Sequence, residues 1–572
     1  MKKRHIYLVL IIAVAALSLF LGLDSTLFYS KGEPREALVA VEILNTGNWI
    51  LPALDGIDLP YKPPMLAWLT ALCSMYAGRV TELTARIPSV IAMIALMLMC
   101  FRFFSRRSVR HADDAPKAFV TAMILLAAVE THRAAIVSRV DMLLTAFIVG
   151  AMFSLYNWRA RDWKGVPVAG ILAMSAATLT KGPIGIVLPC LVVWVFAIAK
   201  ADKFWNVTWR LAVAALAAVA LPAVYYILAY NQGGSEFLSL AMEENFGRFT
   251  GTMSYSSHLH PFYYNFLTLL AGLLPFTLFL AFSLFAIKWH KTSPTWKGSA
   301  GRFRGASSKL AFSAAAAAVV VAVYCIPASK RSVYLLPAYP FLAFLIAEWM
   351  FRLRRRHSHV IKAYNYFLVA LALIYTLLFA ELYLDIFGLK SLLPKSMAPS
   401  LWAVVSARHS LFNAIIIGLP IVAVIAALVI RRRPTSEKHI YAMLALSLTV
   451  YMAASVAVIN PLLNQKSDFL KAKEVATLIP KGKFLSAIKN DPRLRFYTID
   501  FYTDNRVVAM PFDSKEPLPA SANILLNADE DEEFIAAHPE RNFRLIWDSA
   551  EANSQTPKSC DSRRPIRLYA FD

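Results

Sequence analysis

Repeated apolar segments are the feature that most constrains the fold of this chain. Segments of membrane-spanning character lie near residues 6–23, 82–101, 116–130, 141–158, 166–180, 182–199, 211–230, 263–286, 310–327, 332–350, 363–384, 409–430 and 439–460. A helix needs about 20 mostly apolar residues to cross a bilayer, and a helix satisfies all of its own backbone hydrogen bonds there. The pattern therefore predicts an α-helical polytopic membrane protein with about 13 transmembrane helices.

The distribution of charge predicts how these helices are oriented. The net charge is +22. If the N-terminus is cytoplasmic, the cytoplasmic loops hold about 29 Lys and Arg and the outer loops about 14, as the positive-inside rule expects. Because the excess basic charge lies in loops, we interpret it as a set of topology anchors and expect no nucleic-acid partner. The sequence predicts a multi-pass protein of the cell inner (plasma) membrane whose first apolar segment is an uncleaved helix.

The character of the chain changes after Asn460-Pro461. Runs of strand length occupy residues 483–488, 494–500, 506–510, 522–527, 542–547 and 566–571, and residues 469–479 and 529–537 are typical of helices. This pattern predicts a small soluble α/β domain at 461–572, after a transmembrane domain at 1–460. An odd number of spans places the C-terminal domain on the periplasmic side.

The loop at residues 24–68 concentrates charge between the first and second apolar segments. Its acids are Asp24, Glu33, Glu36, Glu42, Asp55 and Asp58, and its bases include Lys31, Arg35 and Lys62. Ionisable groups held against a bilayer usually mark a site. Pro34 and Gly47 predict a short helix at 34–46 with Glu33 at its N-terminus, and Pro63-Pro64 restrict the backbone beside Lys62. We therefore expect an extracytoplasmic catalytic loop.

Several short motifs follow in a fixed order along the chain. They are Glu33-Pro34-Arg35, Gly47-Asn48-Trp49-Ile50 with Pro52, Lys62-Pro63, Arg139-Val140-Asp141-Met142, Leu179-Thr180-Lys181-Gly182, Arg248-Phe249, His258-Leu259-His260-Pro261-Phe262-Tyr263-Tyr264, Ser329-Lys330 and Tyr334-Leu335-Leu336-Pro337. This ordered set resembles the aminoarabinose transferase family. These enzymes are glycosyltransferases of the GT-C superfamily that use polyprenyl-phosphate sugars and are related to protein O-mannosyltransferases. The resemblance implies a GT-C fold.

The resemblance also implies roles for particular side chains. Cations and hydrogen-bond donors would stabilise negative charge on the leaving phosphate of the donor, and the candidates are Lys62, Arg248, Lys330, Arg331 and Tyr334. Carboxylates would orient the acceptor, with Glu33 as general base and with Glu36 and Asp141 as further candidates. Arg35, His258 and Lys181 complete the predicted site. Attack opposite the phosphate would invert the anomeric centre without a cofactor.

Three positions depart from the family pattern. The resemblance implies an Asp-Glu pair at the start of the loop helix, where this chain has Gly32 before Glu33. It also implies an acid before the loop lysine and a histidine before the arginine of the large outer loop, which together form a metal-binding combination. Because Tyr61 and Asn245 replace them, we predict no metal site. His258 and His260 alone supply too few ligands.

The predicted function is transfer of a sugar from a polyprenyl-phosphate donor to an extracytoplasmic acceptor such as lipid A or another envelope glycolipid. One alternative is a protein O-glycosyltransferase of the same superfamily. Another, from a different class, is a transporter or lipid flippase. Transporters tend to place charges near the bilayer midplane. The acids of this chain crowd an outer loop, which favours surface chemistry.

Overall fold

The computed structural model describes most of the 572 residues. It describes residues 2–572 except 55–57, 106–113, 248–258, 286–302, 304, 306, 389–390, 392–397, 408–410, 432–436, 490–494, 515–516 and 553–564. Arg248 and His258 lie outside the described residues.

Most of the described chain is helical. In chain order the helices of the first 464 residues are α1 (Lys2–Phe20), α2 (Gly32–Thr46), α3 (Met65–Met75), α4 (Glu82–Phe104), α5 (Ala115–Ala127), α6 (Val129–Ala135), α7 (Val140–Arg159), α8 (Val168–Lys181), α9 (Ile184–Ala199), α10 (Phe204–Met242), α11 (Tyr264–Gly272), α12 (Phe276–Phe285), α13 (Ser308–Cys325), α14 (Tyr339–Arg356), α15 (Ser358–Leu384), α16 (Ala398–Ser406), α17 (Leu411–Arg431), α18 (Glu437–Ala454) and α19 (Asn460–Asn464). Two π-helical turns (Glu243–Gly247 and Ser455–Ile459) and a 3₁₀ segment (Ser332–Ala338) extend α10, α18 and the start of α14.

The chain is a multi-pass membrane protein. Within the described residues, eight helices are long and apolar enough to cross a membrane, and two bent pairs, α5 with α6 and α11 with α12, bring the number to ten. Three further predicted segments form the shorter helices α1, α8 and α9. The predicted fold class is therefore confirmed, whereas the number of about 13 spans is not.

The helix bundle has two chemically different ends. At one end, the Arg4 guanidinium donates to the Ser105 carbonyl, and Lys309 Nζ donates to the Phe104 carbonyl at 3.1 Å. We call this the basic end, because the Arg354-Arg355-Arg356 run also lies there at the close of α14. The opposite end carries α2, α3 and the C-terminal domain. We call it the site end.

The C-terminal domain is built on a five-stranded mixed sheet. Its elements are α20 (Phe469–Leu478), β1 (Phe484–Ile488), α21 (Tyr497–Tyr502), β2 (Val507–Pro511), β3 (Ala522–Asn527), α22 (Asp531–Ala537), β4 (Phe543–Asp548), α23 (Ser549–Ala552) and β5 (Ile566–Phe571). The strand order is β2-β1-β3-β5-β4. β1 pairs in parallel with β2 and β3, and β5 pairs antiparallel with β3 and β4.

One strand prediction is wrong. Residues 494–500 were expected to form a strand, but the described part of this stretch begins α21. The physical reason is burial on two sides. Phe496 and Ile499 pack into the core beneath the sheet, while Tyr497 packs against α2. A short helix can present side chains in both directions at once, so tertiary packing overrides the apolar strand-length pattern.

The C-terminal domain docks directly on the loop segments of the site end. The Tyr502 hydroxyl accepts from the Phe28 N–H at 2.9 Å and donates to the Glu82 carboxylate at 2.7 Å. Arg495 pairs with Asp58 through two hydrogen bonds, of 2.8 and 3.2 Å. The domain therefore holds the same loop that carries the predicted catalytic residues.

Candidate active site

Helix α2 supplies the first half of the site. Pro34 lies in its first turn, where a missing N–H costs nothing, and Gly47 follows its last turn with a φ of 71°. The Gly47 N–H donates to the Ile43 carbonyl at 2.9 Å, which closes the helix. Ala37 and Leu38 are buried beside α3. This packing presents the charged side chains of the first turns to the loop that contains Lys62.

Glu36 and Lys62 form the central ion pair. Lys62 Nζ and Arg35 Nη2 each donate to Glu36 Oε1 at 2.8 Å. The side chains are only 17%, 16% and 9% exposed for Lys62, Arg35 and Glu36, so these charges are largely shielded from water. Neither bond uses Glu36 Oε2. Among the residues that the structure describes, Glu36 thus holds two cations with one oxygen and leaves the other for a further donor.

Burial and the neighbouring charges shift the pKa values of this pair. Burial alone would raise the pKa of the Glu36 carboxyl, but attraction to Lys62 and Arg35 outweighs it and lowers the pKa to about 2. Burial lowers the pKa of the Lys62 ammonium to about 8, against the attraction of Glu36. Repulsion by Arg35 and Arg139 acts in the same direction as burial. Glu36 is therefore ionised at neutral pH, while Lys62 is charged but readily titrated.

A small cavity of about 20 Å³ opens beside this pair. Arg35, Glu36, Tyr61 and Lys62 line its polar side, and the apolar lining includes Tyr225 from α10. The Arg35 guanidinium lies 4.4 Å from the centre of the Tyr61 ring. A cation over the face of a half-buried ring is restricted in orientation, which preorganises this wall of the cavity.

The first turn of α7 and the last turn of α8 supply the second half of the site. Lys181 Nζ, in the last turn of α8, donates to Asp141 Oδ1, in the first turn of α7, at 2.5 Å. The same ammonium lies 4.3 Å from the centre of the Tyr334 ring, in the 3₁₀ segment. Lys62 lies close enough to interact electrostatically with Asp141. The structure thus brings together five residues that the sequence analysis proposed for the site: Glu36, Lys62, Asp141, Lys181 and Tyr334.

Glu33 lies in a separate, fully buried ion pair. Its Oε1 accepts from Arg86 Nε at 3.0 Å and from the Ser138 N–H at 2.9 Å. Arg86 Nη1 also donates to the carbonyls of Leu23 and Thr26 at 2.7 and 2.6 Å. These bonds join the first loop to α4 and to the segment before α7. The sequence analysis did not single out Arg86, because nothing in its local pattern distinguishes a lysine or arginine that pairs inside from one that faces lipid headgroups.

The sequence analysis named Arg139 only as part of a motif and gave it no role in the site. A Cβ atom built on Gly32 would lie 2.4 Å from Arg139 Nη1 and 2.6 Å from Cζ. The Arg139 guanidinium therefore occupies the space that a side chain at position 32 would need. We use the name charge cluster for Arg35, Glu36, Lys62, Arg139, Asp141 and Lys181.

The structure shows contacts within their own loop for the other predicted phosphate ligands that it describes. Lys330 is 4% exposed, and its Nζ donates to the Pro327 carbonyl of its own loop at 2.6 Å. Arg331 immediately precedes the 3₁₀ segment that carries Tyr334. Ser329 pairs with Leu259, which brings this loop beside His260. The roles of these residues stay predictions, as do those of Arg248 and His258, which lie outside the described residues.

Tyr61 and Asn245 stand where the family pattern implies metal ligands, and they do not fit a metal ion. Burial raises the pKa of the Tyr61 phenol, so it stays protonated and is a poor ligand. The Asn245 amide donates to the Ala241 carbonyl at 2.8 Å, and its oxygen rests against Gly182. Within the described residues, no three His, Cys, Asp or Glu side chains lie close enough to hold an ion. We derive no catalytic step through a metal.

Comparisons of sequence agree with the motifs. Residues 61–226 match the family described as dolichyl-phosphate-mannose-protein mannosyltransferase. The chain is similar to the undecaprenyl phosphate-α-4-amino-4-deoxy-L-arabinose arabinosyl transferase of Aeromonas hydrophila, with 26% identity over 45% of this chain and 46% of that one. The chain is also similar to arabinosyl transferase 2 of the same kind from Proteus mirabilis. The sequence identity is 24%, over 61% of this chain and 60% of that relative. The chain therefore matches less than two thirds of the length of these relatives.

A comparison of structures shows the fold. The crystal structure of ArnT from Cupriavidus metallidurans bound to undecaprenyl phosphate superimposes with a TM-score of 0.67. The superposition covers 98% of this chain and 97% of that one, at 19% sequence identity. The fold is therefore shared across nearly the whole length. The resemblance to aminoarabinose transferases that the motifs predicted is confirmed, together with the GT-C fold.

Proposed function

We propose that this protein is an inner-membrane glycosyltransferase that moves a sugar from a polyprenyl-phosphate donor to an acceptor outside the cytoplasm. Lipid A or another envelope glycolipid is the acceptor that we favour. The observation that carries the proposal is the charge cluster, in which four cations surround two carboxylates at one end of an apolar helix bundle. The relatives named for transfer from undecaprenyl phosphate, and the fold of ArnT, support this assignment.

The cations of the cluster suit a phosphate leaving group. When the bond between the anomeric carbon and the phosphate oxygen breaks, the electron pair stays on that oxygen and negative charge grows there. Lys62 lies beside the cavity, held by Glu36 at 2.8 Å, and is positioned before the donor arrives. Lys181 and Tyr334 offer a second cation and a phenol. Preorganised cations stabilise such a transition state without reorganising during the reaction.

Glu36 is the carboxylate that we assign to the acceptor. Its Oε1 is occupied by Lys62 and Arg35, and its Oε2 remains available to a hydroxyl of the acceptor. A carboxylate with a pKa of about 2 is a weak base, so it orients the hydroxyl and accepts its proton only late, as the new bond forms. Attack from the face opposite the phosphate inverts the anomeric centre.

Glu33 is assigned a positioning role in this proposal rather than that of general base. Its pair with Arg86 is 1% exposed on both sides and ties α2 to α4. Fixing the first turn of α2 fixes Glu36, which lies one turn further along the same helix. Asp141 holds Lys181 in the same way on the opposite wall.

The proposed orientation puts the site end outside the cytoplasm. The N-terminus of α1 lies at the basic end and the C-terminal domain at the site end. The excess of Lys and Arg in the loops of the basic end supports a cytoplasmic position for that end. The C-terminal domain would then be periplasmic.

The alternatives receive less support. A transporter would place its charged residues near the bilayer midplane, beside interrupted helices. The charge cluster instead lies where α2, α7 and α8 begin or end. The match of residues 61–226 to a family of protein mannosyltransferases keeps a protein acceptor as the second candidate.

Binding of undecaprenyl phosphate to the purified full chain tests the proposal. We expect wild-type protein to bind the lipid phosphate, and we expect Lys62→Gln to weaken binding by about tenfold or more, because a buried charge-assisted contact contributes about 1.5–3 kcal/mol. Arg79→Gln is the matched control, because Arg79 is an exposed cation at the same end.

Two results would contradict the proposal. One is failure of the wild-type protein to bind the lipid phosphate. The other is an equal loss of binding in the Lys62 and Arg79 variants, which would indicate only general attraction to a basic surface. Mass spectrometry of envelope lipids from cells that lack the protein would then identify the acceptor, through the sugar that is missing.

A further inference from the structure

The contact between Gly32 and Arg139 carries information about the donor sugar. Gly32 is buried at the start of α2, and its lack of a side chain lets the Arg139 guanidinium approach the backbone. Any side chain at position 32 would place its Cβ 2.4–2.8 Å from three atoms of that guanidinium. No carboxylate can stand at this position while Arg139 keeps its place.

Arg139 has no partner of its own in the part of the chain that the structure describes. Its guanidinium makes no hydrogen bond or ion pair there, although its charge acts on Lys62 and Asp141. Arg139 is half-buried beside the charge cluster, and an arginine can donate up to five hydrogen bonds in a fixed geometry. Such a group is available to a substrate.

Both acids of the cluster are already engaged. Glu36 pairs with Lys62 and Arg35, and Asp141 pairs with Lys181. The described cluster therefore has four positive and two negative charges, and a donor phosphodiester brings one negative charge. The occupied cluster keeps a net positive charge. The open carboxylate oxygen, Glu36 Oε2, is assigned to the acceptor, so a positively charged group on the sugar would be repelled.

We propose that the donor sugar carries no positive charge, and that Arg139 binds its hydroxyl or carboxylate oxygens. This inference rests on the proposed function. It separates this chain from the relatives above, whose name specifies a 4-amino sugar with a basic amine. Arg139 and Gly32 are then the pair that sets the choice of sugar.

Competition binding with the full chain in detergent tests this inference. The probe is labelled undecaprenyl phosphate, and the competitors are undecaprenyl phosphate linked to L-arabinose, to 4-amino-4-deoxy-L-arabinose and to the N-formyl form of that amino sugar. We expect the amino sugar to compete about tenfold more weakly than arabinose at pH 7. The N-formyl form keeps the nitrogen but removes the charge, so it should recover most of the loss.

Variants connect the effect to Arg139. The discrimination is the ratio of the affinities of the two competitors for one protein, so a general change in phosphate affinity cancels. Arg139→Gln should reduce the discrimination against the amino sugar to about twofold or less, and Arg79→Gln should leave it unchanged. Equal or tighter binding of the amino sugar by wild-type protein would overturn the inference while the proposed function stands. Discrimination that survives Arg139→Gln would overturn the role of Arg139. Failure of the probe to bind would overturn the proposed function and the inference together.

Discussion

At the scale of single residues, the site depends on how charges share partners. Lys62 could be singled out from the sequence, because two prolines follow it and a motif contains it. Its pairing with Glu36 could not, because the two residues are 26 positions apart and their contact depends on how the loop folds back on α2. The consequence is a lysine whose charge depends on its neighbours.

The first prediction concerns the dependence of donor binding on pH. Burial lowers the pKa of Lys62 to about 8, so the ammonium is present below that pH and is lost as pH rises through it. Affinity for a polyprenyl phosphodiester should therefore be constant from about pH 6 to 7 and fall above about pH 8. Lys62→Arg should keep its affinity to higher pH, because guanidinium does not deprotonate there. Equilibrium binding at each pH measures this, and a fall at the same pH in both proteins would contradict the assignment to Lys62.

The second prediction separates the structural and catalytic roles of Glu33. Glu33→Gln leaves the buried Arg86 charge without its counterion, so we expect a loss of stability of about 3–5 kcal/mol, seen as a lower thermal midpoint in detergent. Glu42→Gln, on the same helix but half-buried, should change the midpoint little. If Glu33→Gln unfolds at the wild-type temperature yet is inactive, the positioning role is wrong and Glu33 is the general base.

At the scale of secondary-structure elements, helix α2 and helix α21 illustrate what local sequence determines. Pro34 and Gly47 predict α2 almost to its ends, because both signals act within the helix itself. Residues 497–502 form a helix where a strand was expected, since their apolar side chains are buried against two different surfaces. The spacing of apolar residues shows which side chains are buried. It does not show whether they are buried against one surface or against two.

The third prediction tests whether α21 supports α2. Tyr502→Phe removes the hydroxyl that joins the Phe28 N–H to the Glu82 carboxylate, and it should destabilise this contact by about 1–3 kcal/mol. We expect faster amide hydrogen exchange across residues 32–46, measured by mass spectrometry. Tyr76→Phe is the matched control, because Tyr76 is fully exposed at the same end. Unchanged exchange in α2 would mean that the C-terminal domain rests on the site end without stabilising it.

At the scale of the whole molecule, the sequence predicts the apolar bundle and the small α/β domain, because hydrophobic runs and strand-length patterns are local properties. It also predicts most of the charge cluster through motifs. It does not predict the pairing of Arg86, the position of Arg139 against Gly32 or the docking contacts of Tyr502. These depend on segments far apart in sequence, such as Arg495 and Asp58, which meet across 437 positions.

The last prediction concerns the orientation of the molecule in the membrane. The proposed function needs the site end to meet an envelope acceptor, and the loops of the basic end hold about 29 Lys and Arg against about 14 in the loops of the site end, so the two arguments place the same end outside the cytoplasm. Alkaline phosphatase, which is active only outside the cytoplasm, should be active when fused after Asp572. It should be inactive when fused between α7 and α8, after Lys164, and green fluorescent protein should show the opposite pattern. Because both fusions lie on one chain and at opposite ends of the bundle, phosphatase activity at Lys164 with none at Asp572 would place the charge cluster in the cytoplasm, where an envelope acceptor is absent.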